Sequence, residues 1–165
     1  MGKIPSLLIG AGWLMSATAP LCAQGLLTEQ RLPAALVNEA LGAAVAACAA
    51  NGYRVSAVVL DMDGVRMGML RGDGAGIHTI DSSFEKAYTA VTYGEDTIVL
   101  EKNLKGGQMS NLQIKLPNVV VTQGGVIIKV NGVAIGALGV GGAPGGDKDT
   151  VCARAGVDKI RDRMK

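Results

Sequence analysis

Residues 123–147, QGGVIIKVNGVAIGALGVGGAPGGD, constrain the fold more than any other stretch of the chain. Asn131-Gly132 sits between two apolar runs, 126–130 and 133–140, and supplies the positive φ angles of a two-residue type I′ turn. Strands joined so tightly are antiparallel, because a parallel neighbour would need a long crossover. The glycine-rich loop 141–146 then opens a helix at Asp147. This order, hairpin then loop then helix, calls for an antiparallel sheet with a helix packed on it.

The rest of the chain alternates in the same idiom. A helix is expected over about 32–50, where Val37, Leu41, Ala44 and Cys48 form one apolar stripe. Pro33 suits its first turn, where a missing N–H costs little, and Asn51-Gly52 closes it. Residues 53–60 are valine-rich, as a well-buried strand would be. Asp61-Met62-Asp63-Gly64 makes a turn, and 65–70 returns antiparallel. A second helix covers 78–93 and stops at Gly94. A short helix near 97–104 and a glycine loop at 105–107 follow. Residues 119–122 and the hairpin supply roughly three more strands. The last helix runs from Asp147 to about Met164, with Ala153, Val157, Ile160 and Met164 inward.

The first residues stand apart. Lys3 precedes a mostly apolar run over 4–15 and then small residues, the layout of a secretory signal peptide. The run is shorter than the roughly 20 residues that span a bilayer. Cleavage is expected after Ala23, so that 1–23 is the leader and 24–165 one domain in the periplasm or medium. The formal charge of +2 falls further when Lys3 leaves, which offers no electrostatic case for nucleic acid. Cys22 leaves with the leader. Cys48 and Cys152 lie on different helices; they are either a disulfide, if those helices are neighbours, or two small buried hydrophobes. No cysteine–histidine spacing for zinc is present.

Chemistry is concentrated on the second helix and the loop before it. At about 100° per residue, His78, Ser82, Lys86, Thr89 and Tyr93 fall within an arc of roughly 80°. Ile80, Phe84, Ala87 and Val91 occupy the opposite, core-facing side. A solvated face is the plain account of the polar arc, yet histidine and tyrosine are costly choices for one. In Arg71-Gly72-Asp73-Gly74-Ala75-Gly76, backbone N–H groups can approach a ligand closely and Arg71 can grip a carboxylate with two donors. Asp73 reads as a turn former or a partner of Arg71. The 139–146 loop fails as a nucleotide motif, since Pro144 stands where the last glycine belongs and two aspartates follow. The single histidine has no nucleophile motif beside it, so no catalytic triad is available.

RGDGAG at 71–76, EKAYTAV at 85–91 and the 123–147 stretch occur in the order of the GlcG/HbpS family, and the chain resembles that family over residues 27–160. It is also similar to the C-terminal domain of PduO-type proteins. The resemblance implies an α/β (α+β) profilin-like sandwich, an antiparallel sheet of about five strands with helices on both faces, assembled as a homo-oligomer. It implies haem (haem b) as cofactor, since many members bind it. A lysine and a threonine occupy the Lys86 and Thr89 positions in the family, and the threonine is an unusual oxygen ligand for iron. Thr89 and His78 are therefore the leading iron ligands, imidazole being a common axial donor; Met67, Met69 and Met109 are further candidates that core packing or surface exposure would otherwise explain. Arg71 and Lys86 would meet the propionates, with Tyr93 completing the site. The function expected is a secreted or periplasmic haem-binding protein in haem storage, haem degradation or redox sensing through a membrane sensor. Two other classes compete: a binder or enzyme for a small carboxylate such as glycolate, using Arg71, Lys86 and His78, and a structural oligomer without ligand.

Overall fold

The computed structural model describes residues 28–111 and 115–164, together with Gly2 and Gly25; the leader expected over 1–23 and the centre of the 105–116 loop lie outside the described residues. Helix α1 spans Ala34–Ala49, with Pro33 at its N-cap and the stripe Val37, Ala40, Leu41, Ala44 and Cys48 buried. Strands β1, Ser56–Leu60, and β2, Arg66–Arg71, form the first hairpin. Helix α2 is His78–Tyr93, and Gly94 closes it at φ 65°, a left-handed stop that favours glycine. Helix α3 is Thr97–Lys105; strands β3, Gly125–Val130, and β4, Val133–Gly141, flank the Asn131-Gly132 turn. Its two φ angles, 50° and 83°, are those of the expected turn type. Helix α4, Gly146–Ile160, ends the chain with a 3₁₀ turn at Arg161–Arg163.

All pairings are antiparallel and the strand order is β2-β1-β4-β3. Helices α1 and α4 cover one face, α2 the other, so the sandwich has the expected two helical layers. Strand β1, central and bearing on both layers, is buried at all five residues. On the α1/α4 side, Val37, Leu41, Val59, Ile128, Leu138 and Ile160 meet in one core; on the α2 side, Val58, Leu60, Ala87, Ala90 and Ile127 form a second. Cys48 and Cys152 are joined by a disulfide between α1 and α4, their Cα atoms 5.5 Å apart. Gly156 makes that approach possible, since a Cβ there would strike the Ala40 carbonyl oxygen.

Two expectations need correcting. The described residues hold four strands, not about five. Residues 119–122 stay outside the sheet because the Val120 N–H is taken by the Thr89 hydroxyl at 2.8 Å. The free edge of β3 is closed as well: Gly125 N–H donates to Thr97 Oγ1 and Ile127 N–H to Asp96 Oδ1, at 2.9 and 2.8 Å. The second correction is the rotation of α2. Its sheet-facing side is Thr79, Ser83, Lys86, Ala87 and Ala90, while Ile80 and Phe84 are only half-buried. The cause lies in the sheet. At Gly139 a Cβ would collide with the Ser83 carbonyl, and at Gly125 with that of Lys86. The helix backbone therefore rests almost directly on the strands, and only its small residues fit beneath it.

Candidate functional site

The close seat of α2 splits the polar arc. Lys86 is buried, and its ammonium donates to Asp149 Oδ2 at 2.6 Å, the two side chains 7% and 3% exposed. Asp149 Oδ1 accepts the Ala143 N–H at 3.0 Å, so one carboxylate ties α2, α4 and the glycine loop together. Burial pushes the Asp149 carboxyl above its ordinary value, and the Lys86 ammonium offsets this only in part. Thr89 is fully buried; its hydroxyl donates to the Glu85 carbonyl at 2.7 Å and accepts from Val120 N–H. His78 is exposed at the helix start, its ring against Gly76, and Tyr93 is half-buried at the other end. Arg71 donates through Nε and a terminal nitrogen to the Ala75 carbonyl, which makes that carbonyl, and not Asp73, its hydrogen-bond partner among the described residues. Lys86 and Thr89 thus make contacts within the framework, while His78 is exposed at the start of α2 and Arg71 at the end of β2.

Of the residues that sequence periodicity assigned to the core, Ala87 and Val91 are buried, while Ile80 and Phe84 are half-buried at the margin of the layer. Phe84 and Tyr88 lie with ring centroids 5.7 Å apart, and the Arg66 guanidinium sits 4.0 Å above the Phe84 ring. Beside them runs β2, an edge strand with no outer neighbour among the described residues. A separate cleft of about 520 Å³ at the far end of the sheet is lined by Arg31, Asp61, Asp63 and Ile135 among others. Its acidic groups already have their cation, since Arg31 pairs with Asp61 at 3.3 Å and Asp63 at 2.7 Å. Among the described residues no cluster of histidine, cysteine and carboxylate could hold a metal ion.

Sequence reasoning missed Asp149, which it met only as one of two aspartates after the glycine loop, and Asp96, which caps β3 and pairs with Arg154 at 2.6 Å. Two aspartates at the start of α4 were the available signal; nothing local tells which one turns inward toward a lysine 63 residues away. The donors present suit a haem. His78 imidazole and Met69 thioether are exposed iron donors, and Arg66 and Arg71 are exposed cations for carboxylates.

A four-stranded antiparallel sheet between two helical layers, with a helix seated on sheet glycines, defines an α/β sandwich of the kind the sequence motifs implied. The chain belongs to the HbpS-like family, whose model, "Haem degrading protein HbpS-like", matches residues 32–158. A double mutant of HbpS from Streptomyces reticuli is 36% identical, with a TM-score of 0.75, covering 87% of this chain and 97% of that one. A second HbpS crystal structure is 34% identical at TM-score 0.76, covering 84% and 97%. A PduOC:heme complex is 24% identical at TM-score 0.73 over 79% and 96%, a likeness that shows the fold alone. No curated protein matches the chain in sequence.

Proposed function

We propose that this chain is an exported haem-binding protein, acting in the storage, breakdown or sensing of haem. The observation that carries the reading is the membership of a family described by haem degradation, on a fold that also appears in a haem complex. The structure adds exposed iron donors at His78 and Met69, and two arginines, Arg66 and Arg71, that pair with no carboxylate among the described residues. Bound haem would supply a redox-active iron; the chain's own part is to hold its plane, its iron and its carboxylates. Export is supported by the leader pattern over 1–23 and by the Cys48–Cys152 disulfide, a bond that persists in oxidising compartments. A homo-oligomer is proposed from the resemblance, as is a membrane sensor as partner. The small-carboxylate reading finds no support in the geometry, because Lys86 is closed off by Asp149 and is not brought together with Arg71 and His78.

Haemin titration followed by the visible spectrum tests the proposal. A saturable shift of the Soret band, with a stoichiometry set by the chain concentration, is expected. A spectrum identical to free haemin at every protein concentration refutes it.

A further inference from the structure

Helix α2 carries its bulkiest side chains where the core makes least use of them. Phe84 is the chain's one phenylalanine, yet it is half-buried, and Ile77 just before the helix is 79% exposed. The sheet glycines draw the small side of α2 inward and turn this apolar flank toward edge strand β2. Register places Arg66, Met69 and Arg71 on the same face of β2, because their cross-strand partners Leu60, Val58 and Ser56 all lie under α2. The strip so formed holds the Phe84–Tyr88 pair, a methionine that is 47% exposed, and a guanidinium on each side of it along the strand. Neither arginine is paired with a carboxylate among the described residues: Arg66 rests on the Phe84 ring and Arg71 on a backbone carbonyl.

We infer that this strip, and not the polar arc, seats the haem, with Met69 as an axial donor to iron and Arg66 and Arg71 as partners of the carboxylates. The inference rests on the haem-binding reading above. A porphyrin needs a broad apolar surface, a donor for its iron and cations for its propionates, and the strip offers all three together. The polar arc does not. Its Thr89 hydroxyl is spent on Glu85 and Val120, its Lys86 ammonium on Asp149, and its exposed His78 stands at the start of the helix, more than one turn before Phe84. The Arg66 guanidinium covers one face of the Phe84 ring, so a porphyrin seated there would displace it toward a propionate. A guanidinium has five donors, so Arg71 can keep the Ala75 carbonyl and still reach a carboxylate.

The test is haemin binding by protein purified from expression of the full chain, read by the Soret band, by near-infrared magnetic circular dichroism and by amide hydrogen exchange. Met69→Leu conserves volume at a half-exposed position and should fold normally; it is expected to shift the Soret band and abolish the thioether signature. Arg66→Gln should weaken haemin binding about tenfold, the loss of one charge-assisted hydrogen bond. Haemin should slow exchange across 66–71 and the first half of α2. Lys102→Ala, at an exposed position on α3, and Thr89→Ser should change none of these. If wild-type protein leaves haemin unperturbed, the functional reading falls and the strip with it. If wild type binds haemin but His78→Ala removes the spectrum while Met69→Leu and Arg66→Gln leave it intact, the strip alone is wrong.

Discussion

Replacing Lys86 with methionine tests the internal architecture most directly. Methionine has nearly the length of lysine, so the substitution removes the charge while keeping most of the packing. It leaves the Asp149 carboxyl 3% exposed, with the Ala143 N–H as its remaining bonded partner. Breaking one side of a buried ion pair costs about 3–5 kcal/mol. For a chain of this size that is a fall in Tm of roughly 10–20 °C. The cost should depend on pH, and its sign follows from Asp149. Burial holds its carboxyl above the ordinary value of 3.8, so the folded state binds the proton more tightly than the unfolded chain. Stability from this group is therefore greatest at low pH and declines as pH rises through the folded value. Without Lys86 the carboxyl rises further and the decline extends toward neutrality. Urea melts of both proteins at pH 5 and pH 7.5 provide the assay. The variant should lose markedly more stability than wild type between the two. Lys86→Met with Asp149→Leu should recover much of the deficit, since apolar replacement of a buried pair is often near neutral. A deficit for Lys86→Met below about 1 kcal/mol, or one equal at both pH values, would refute the reasoning.

Other predictions follow from separate contacts. In leader-free protein, Cys48 and Cys152 should resist maleimide labelling until reduction, and Cys48→Ala with Cys152→Ala should cost about 3–5 kcal/mol in urea, as loss of a bridge closing a loop of 104 residues implies. Gly139→Ala should destabilise by at least about 3 kcal/mol, because its methyl meets the Ser83 carbonyl and neither backbone can yield; a melt unchanged from wild type would contradict the seating of α2. Intact mass of the exported protein should place its first residue near Gln24, and a species beginning at Met1 would sink the leader reading. Light scattering should find an assembly well above 16.8 kDa, and a monodisperse monomer at micromolar concentration would count against the oligomer.

Local chemistry wrote the element boundaries. Helix α2 begins and ends where its pattern and Gly94 say, and the β3–β4 hairpin turns at Asn131-Gly132 because few other residues accept both angles. The motifs carried the family, hence the sandwich. What no local rule contained was which side of α2 would face the sheet. Periodicity puts Ile80, Phe84, Ala87 and Val91 inside; the glycines of β3 and β4, more than thirty residues away, seat the helix on Ser83, Lys86 and Ala87 and leave Ile80 and Phe84 half-buried. The same remote contact decided the fate of the site residues. It set Lys86 against Asp149 and Thr89 against Val120, so that both expected site residues have partners inside the fold. Strand 119–122 was lost for a related reason, since its amide found a side-chain acceptor on α2 before it could find a strand. Periodicity establishes that a helix is amphipathic; how close it lies, and so which of its side chains are inside, is set by the size of the residues it meets.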